Sequence, residues 1–352
     1  MIETRAPGKL FVAGEYAVVE PGGAAVVVAV DRFVTVRATD AAQNVLTSSH
    51  YGGEPLRWRR SGEGVEVAGD RRFDSVIAAL DTVEAFAVAS GLPERPLSLE
   101  IDSALDHISG AKFGLGSSGA VVVATVRALA IAHGLALDDA AVLRLALLAS
   151  WRVHPSGSGG DIAASTLGGW VGYRSGDARA VLARYSDVGI AVLGDEWPGL
   201  AAVPLAAPAD LELLVGWTGS PASTSSLVED SRAGRGDAAG EFRDFCAESD
   251  ATVAALTAAL IAGDDAAVAT AIRRARAALA THAALSGITI ETPELVRLCA
   301  IAERYGAAAK SSGAGGGDCG IALAGPDVHR DALFAEWVDA GIRPLGLTVT
   351  TV

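Results

Sequence analysis

Two charged residues lie beside glycine-rich turns in a pattern that suits phosphate chemistry. Lys9 opens a strand-like run behind a Pro–Gly turn in "APGKLFVAGEY" (6–16), and Asp161 closes a glycine- and serine-rich loop in "HPSGSGGDIAAS" (154–165). Taken singly, such a lysine is usually a solvated charge and such an aspartate usually caps a helix. Together, and next to two candidate phosphate loops, they form a candidate pair of cation and carboxylate, which phosphoryl transfer between two polyanions requires.

The first candidate phosphate loop is "GLGSSGA" (114–120), which leads into an apolar, helical stretch. Glycines let the backbone approach a ligand, and a helix N-terminus presents unpaired N–H groups and the positive end of its dipole. Ser117 and Ser118 could cap that helix or bind a cation through a hydroxyl. The pattern is neither G-x-x-x-x-G-K-[ST] nor a G-x-G-x-x-G that follows a buried strand. A glycine-rich helix cap without a ligand is an equal alternative.

The second candidate loop is "KSSGAGGGDCGIAL" (310–323), with five glycines and two serines before an apolar strand. Ordering such a segment costs conformational entropy, and no turn type needs so many glycines, which indicates a use for the loop. The alternative is a surface turn. Asp318 could cap that turn, and Cys319 is interpreted as a small buried residue.

Composition limits the classes of ligand. The chain has 352 residues, half of them hydrophobic, and a formal net charge of -14, so we expect two domains and no binding of nucleic acid or anionic membranes. An anionic ligand must therefore be held by a local pocket. The three cysteines form no C-x-x-C pair, which predicts neither a zinc site nor a disulfide framework. With no signal-peptide pattern in residues 1–20, we expect a cytoplasmic protein.

Hydrophobic periodicity predicts mixed strands and helices without βαβ regularity, which favours an α+β fold. Residues 47–64 are interpreted as an excursion or hairpin, and a proline-rich stretch near 195–210 as a linker between domains 1–200 and 201–352. Strands are predicted at 8–12, 24–37, 97–101, 162–173, 211–217, 320–325 and 345–352, and helices at 73–90, 118–133, 138–151, 238–286 with breaks near Gly263 and Ser286, 292–305 and 328–340.

The set "APGKLFVAGEY", "GLGSSGA" and "KSSGAGGGDCGIAL" resembles the three motifs of the GHMP kinases, in order and across almost the whole chain. Further stretches are similar to the phosphomevalonate kinase branch: "GEYAVVEPG" (14–22), "KFGLGSSGAV" (112–121), "GSGGDIAAS" (157–165) and "VGWTGSPAST" (215–224). The decarboxylase branch usually lacks the lysine of the first motif, and Lys9 is present here.

The resemblance implies an N-terminal domain like domain 2 of ribosomal protein S5 and a ferredoxin-like C-terminal domain. ATP would lie over residues 114–119, Ser118 would bind Mg²⁺, and Lys9 and Asp161 would be catalytic. The stretch "LASWRVHPSG" (148–157) lacks the metal-binding glutamate of the mevalonate kinase pattern. The implied ATP-binding residues are Lys112, Gly114, Leu115, Gly116, Ser117, Ser118 and Gly119, and the implied acceptor-binding residues are Lys9, Tyr16, Ser156, Gly157, Ser158, Trp217, Gly313, Ala314, Gly315 and Gly316.

The chemistry of the acceptor suggests what Asp161 does. An alcohol needs a base, whereas a phosphate monoester, with a second pKa of about 6, is already ionised at neutral pH. For 5-phosphomevalonate as acceptor we therefore favour Asp161 as an orienting group over a general base. Arg152 and His154 are weaker candidates for holding the acceptor, and Trp217 is equally a core residue. The alternatives are a kinase of another small alcohol, such as mevalonate, and a non-catalytic ligand sensor.

Overall fold

The computed structural model describes residues 1–49, 55–61, 64–67, 73–106, 112–220, 224–234 and 238–351, and within them the fold is α+β. Two sheets are present, and most of the helices pack against them. In chain order the elements are β1 (Ile2–Ala13), β2 (Ala24–Asp40), β3 (Val45–Ser48), β4 (Leu56–Ser61), β5 (Gly64–Val67), α1 (Asp74–Ala89), β6 (Leu97–Ser103), α2 (Ser117–His133), α3 (Asp139–Val153), α4 (Gly160–Leu167), β7 (Trp170–Arg174), α5 (Ala178–Val188), β8 (Ala201–Leu205), β9 (Glu212–Trp217), α6 (Thr224–Gly234), α7 (Ala239–Ala262), α8 (Asp265–Ser286), α9 (Pro293–Arg304), β10 (Ala308–Ser311), β11 (Cys319–Ala324), α10 (Arg330–Asp339) and β12 (Arg343–Leu345).

The larger sheet has the order β5-β4-β3-β6-β2-β7-β8, with β1 paired to β2. Its centre is the long β1–β2 hairpin, because the valine-rich run of β2 is buried on both sides. The register of the hairpin shifts between Pro7 and Gly8. A Cβ on Gly8 would lie 2.9 Å from the carbonyl oxygen of Leu115, so β1 passes directly beneath the first glycine loop. The shift therefore sets the position of Lys9 relative to that loop.

Helices α1 to α4 form a layer whose α2 and α4 pack on β1 and β2. Helix α2 is apolar on most of its circumference and mostly buried, as its run of alanine and valine requires. It begins after Gly116, which has a left-handed backbone, and ends at Gly134 in the same conformation. The layer fixes the N-terminus of α2 rigidly over β1.

The smaller sheet has the order β10-β11-β9-β12 and is antiparallel. Leu298 and Trp337, from α9 and α10, form a separate core on one of its faces. On the other face Val215 and Ile321 belong to the same core as β1 and β2. The two sheets are thus joined by a shared apolar core, and the second glycine loop, between β10 and β11, projects from the smaller one.

The change of sheet falls between Leu205 and Glu212, since β8 pairs with β7 in the larger sheet and β9 opens the smaller one. Residues 201–205, assigned to the second domain from the sequence, are thus the edge strand of the first sheet. The division at residue 200 itself stays a prediction.

Some predicted elements differ from those observed. Residues 160–167 are the helix α4, not the start of a strand, because Gly159 adopts a left-handed backbone that begins a new helix. Its buried face, with Ile162 and Ala163, packs on the larger sheet. The closing strand covers only Arg343–Leu345, after which Val349 and Thr351 make single bridges to the larger sheet. Helix α5 was not predicted.

Helix α7 is the one described helix that is long and apolar enough to cross a membrane, judged by length and composition alone. Its Phe242, Phe245 and Leu256 are buried, and it packs against α8 along its length. Packing inside this fold therefore explains part of the apolar character of α7.

Candidate active site

Lys9 and Asp161 converge on one glycine of the first loop. The position that a Cβ on Gly116 would take lies 2.9 Å from Cε of Lys9 and 3.5 Å from Cβ of Asp161. Lys9 is 91% buried by its strand neighbours, with 9% of its surface exposed, and its Nζ donates to the carbonyl oxygen of Gly114 at 3.2 Å. No carboxylate of the described residues forms an ion pair with Lys9. Its charge is therefore available to a ligand in the loop.

Asp161 lies in the first turn of α4, half-buried, and its carboxylate faces the start of α2. A Cβ on Gly119 would be 2.5 Å from Oδ2 of Asp161, which only a glycine permits. The negative charge of Asp161 also affects the pKa of a neighbouring tyrosine. Burial raises the pKa of Tyr173 well above its ordinary value, and the negative charge of Asp161 raises it further. Tyr173 therefore stays protonated and donates to the carbonyl oxygen of Ser158 at 2.8 Å.

The first glycine loop leaves the N-terminus of α2 open. Gly114 and Gly116 have positive φ angles of 78° and 76°, which a residue with a side chain adopts at a cost. No side chain of the described residues caps the helix, so its first N–H groups remain available to an anion. Leu115 is buried beneath the loop, while Ser117 is half-buried and Lys112 exposed. The arrangement leaves room for a phosphate, and binding of a nucleotide by this loop stays a prediction.

The hydroxyl of Ser118 is exposed at the start of α2 and lies 3.1 Å from the hydroxyl of Ser75, at the start of α1. Sequence reasoning did not find Ser75, because no pattern joins an isolated serine in one helix to a loop much later in the chain. Among the described residues no cluster of three or more histidine, cysteine, aspartate or glutamate side chains could hold a metal. A set of oxygen donors made of hydroxyl groups, one carboxylate and the phosphate groups of a nucleotide nevertheless suits Mg²⁺.

The second glycine loop adjoins the first. A Cβ on Gly114 would be 2.5 Å from Cγ of Asp318, and the thiol of Cys319 donates to the carbonyl oxygen of Phe113 at 3.0 Å. Trp217 is buried and packs edge-on against Phe113, with ring centroids 5.1 Å apart. The interpretation of Cys319 as a small buried residue is confirmed. Trp217 lies in the core at the base of both loops, and its contact with an acceptor stays a prediction.

A buried ion pair joins the first motif to the second loop. Lys310 donates to Oε1 of Glu15, and both side chains are almost completely buried. The hydroxyl of Tyr16 donates to the carbonyl oxygen of Ala314 at 2.6 Å, and Ser312 bonds to the backbone of β1. Burial and the neighbouring charge of Glu15 raise the pKa of Tyr16 well above its ordinary value. Glu15 and Lys310 were missed from the sequence, since only folding brings them together.

The glycines of the second loop are required by close backbone contacts. A Cβ on Gly315 would be 2.3 Å from the carbonyl oxygen of Ile290, and the N–H of Gly316 donates to that same oxygen at 2.8 Å. Gly313 has a φ of 83° and open space around it. The loop is thus held by backbone contacts at Gly315 and Gly316, and it is open at Gly313, where a ligand could approach.

Residues 156–158 form the turn before α4. Trp151 donates to the carbonyl oxygen of Gly157 at 3.0 Å, and Oγ of Ser158 accepts from the N–H of Gly160 at 3.3 Å. The hydroxyl of Ser156 has no such bond among the described residues. These contacts fix the turn on which Asp161 depends.

Of the two weaker acceptor candidates, Arg152 has partners in the protein, and His154 lies at the start of the turn that contains Gly157. Arg152 is engaged with α1, through Asp81 and Thr82, and its guanidinium stacks on Tyr185. His154 is exposed at the end of α3, as expected for a surface histidine. Contact of either side chain with an acceptor stays a prediction.

The chain belongs to the GHMP kinase family. The model of the GHMP kinases N terminal domain matches residues 75–169, and that of the GHMP kinases C terminal domain matches residues 256–343. The first match contains the glycine loop and Asp161, and the second contains Lys310 and the second loop.

Individual relatives are similar over their whole length. A phosphomevalonate kinase from Streptomyces sp. (strain CL190) is 45% identical over 99% of this chain and 96% of its own. The crystal structure of the Lin0012 protein from Listeria innocua has a TM-score of 0.94 at 33% identity, covering 99% of this chain and 97% of its own. Streptococcus pneumoniae phosphomevalonate kinase in complex with phosphomevalonate and AMPPNP has a TM-score of 0.88 at 28% identity, covering 99% and 100%.

Proposed function

We propose that this chain transfers the γ-phosphoryl group of ATP to the phosphate of (R)-5-phosphomevalonate, giving (R)-5-diphosphomevalonate and ADP. The observation that carries the proposal is the convergence of Lys9 and Asp161 on Gly116, at the open N-terminus of α2. Similarity over the whole chain to a phosphomevalonate kinase supports the choice of acceptor.

In this reaction an oxygen of the acceptor phosphate attacks the γ-phosphorus, and the bond from that phosphorus to the β–γ bridging oxygen breaks. The acceptor is ionised at neutral pH, so the main barrier is the approach of two polyanions. Lys9 offsets their charge from a site that is almost dry, where the interaction is worth far more than in water. The N–H groups at the start of α2 hold the nucleotide phosphates.

Mg²⁺ would be held by the hydroxyl of Ser118, with Ser75 beside it, and by oxygens of ATP. Bound there, the ion would neutralise charge on the β- and γ-phosphates. A metal held mainly by nucleotide oxygens and water needs no cluster of protein carboxylates.

Asp161 acts in this proposal as an orienting group for Lys9 and the phosphates once the ligands are bound, since no ion pair joins it to Lys9 within the described residues. Asp161→Asn should therefore keep measurable activity, with the acid limb of its pH–rate profile near the second pKa of the acceptor. Loss of all activity, restored by small carboxylates or by higher pH, would instead make Asp161 a general base.

The decisive experiment is a coupled assay of ADP release with a panel of acceptors, including phosphomevalonate and mevalonate. We expect turnover with phosphomevalonate and a product whose ³¹P spectrum contains a P–O–P linkage. Turnover with mevalonate alone would indicate the mevalonate kinase reaction, and ATP binding without turnover on any acceptor would indicate a sensor. Cytoplasmic location stays a prediction.

A further inference from the structure

A cleft of about 350 Å³ opens beside the turn that precedes Asp161. It is lined by residues 18–21, 155–157 and 175–179 and by Arg232 of α6. Ser156 and Gly157 thus face the cleft, whereas none of residues 114–119 does. The cleft is therefore on the acceptor side of the site and separate from the nucleotide loop.

Two guanidinium groups of the cleft have no counter-ion in the part of the chain that the structure describes. Neither Arg179 nor Arg232 forms an ion pair with any described residue. Arg232 is half-buried and Arg179 is exposed, whereas the half-buried Arg276 is paired with Glu291. The half-buried guanidinium of Arg232 is therefore the group of the cleft that gains most from an anionic partner, which a ligand would supply.

The position of Arg232 is fixed by its neighbour. Ser231 is fully buried and lies 2.9 Å, oxygen to nitrogen, from Nε2 of His282 in α8. This contact anchors α6 against the core, so Arg232 is held at the cleft. Arg179 lies in the first turn of α5, where the positive end of the helix dipole adds to its charge.

Two carboxylates also line the cleft. Asp177 accepts from the N–H of Ala180 at 3.0 Å and so serves as the N-cap of α5. Glu20 has interactions of its own. The carboxylate of Asp177 is thus occupied as a helix cap. An anionic ligand would contact the two arginines from the solvent side of the cleft.

We propose that Arg232, with Arg179, binds the carboxylate of the acceptor. The inference rests on the proposed function: the reacting phosphate must lie at Lys9 and Asp161, so the carboxylate lies at the other end of a five-carbon chain. A guanidinium matches a carboxylate with two parallel hydrogen bonds, which selects for an acid at that end. The cleft thereby determines which acceptors the protein selects.

The test compares phosphomevalonate with the analogue in which the carboxylate is reduced to an alcohol. For Arg232→Gln we expect the KM for phosphomevalonate to rise about 10- to 100-fold, with the KM for ATP unchanged. The unmodified protein should lose a similar factor on the alcohol analogue, whereas Arg232→Gln should no longer distinguish acid from alcohol. Arg232→Lys should recover part of the loss, and Arg179→Gln should give a smaller effect of the same kind.

Arg330→Gln, on the exposed face of α10, is the matched control and should leave every constant unchanged. An equal effect of Arg232→Gln on acid and alcohol, or no effect on either, would overturn the carboxylate assignment. Failure of the unmodified protein to turn over phosphomevalonate would overturn the proposed function instead. In that case the same comparison applies to mevalonate, which carries the same carboxylate, so the two failures can be told apart.

Discussion

Replacing Gly119 with alanine separates the stability of α2 from the geometry of the site. Gly119 lies in the first turn of the helix with an ordinary helical backbone, which alanine adopts without strain. In a helix interior, glycine to alanine stabilises by up to about 1 kcal/mol. A loss of function must therefore come through the added methyl group itself.

That methyl group would lie 2.5 Å from Oδ2 and 2.8 Å from Cγ of Asp161. Ordinary contact begins near 3.4 Å, so the carboxylate must move by about 0.9 Å. An off-rotamer aspartate costs about 0.5–1.5 kcal/mol, which roughly cancels the gain in helix propensity. A displacement of about 1 Å at a reacting centre costs about 100-fold in rate, or about 2.7 kcal/mol in the barrier.

We therefore expect Gly119→Ala to lower kcat about 100-fold while thermal unfolding changes by a few degrees at most. Gly240→Ala is the control, because that helical glycine has nothing within 4 Å of an added Cβ. In the double variant with Asp161→Asn, the alanine should lower kcat little further, since both changes act on one group. Normal kcat in folded Gly119→Ala, or full additivity in the double variant, would refute a catalytic position for Asp161.

Three further changes test other parts of the structure. Ser118→Ala should raise the Mg²⁺ concentration for half-maximal rate; a change confined to stability, of about 1 kcal/mol, would reduce the residue to a helix-end role. Lys310→Met should cost about 3–5 kcal/mol in urea unfolding, because it leaves a buried carboxylate unpaired; an unchanged midpoint would contradict the buried pair. Burial works to raise the pKa of Glu84, but hydrogen bonds and charges from His133 and Arg60 hold it below the ordinary 4.5. Its ionised form thus stabilises the fold above about pH 4.5, and stability is lost as pH falls. Glu84→Gln should reduce the difference in the free energy of unfolding between pH 6 and pH 3.5. The same difference in the variant and in the unmodified protein would show that Glu84 does not contribute to this loss.

Local sequence patterns determined much of this protein. Thr292 followed by Pro293 predicts the start of α9, and the Thr292 hydroxyl does accept from the N–H of Leu295. Gly263 marks the break between α7 and α8, where it takes a left-handed backbone. The glycine loops were also visible, because turn geometry and close backbone approach depend on residue type.

Only the tertiary structure decided which residues meet. The register of β1 on β2 and the packing of α4 bring Lys9 to Asp161, and the ion pair of Lys310 with Glu15 spans 295 residues. Arg232 reaches the cleft because α6 is anchored to α8. Such contacts depend on how buried surfaces fit together across sheets and helices, which no local pattern of residue types specifies.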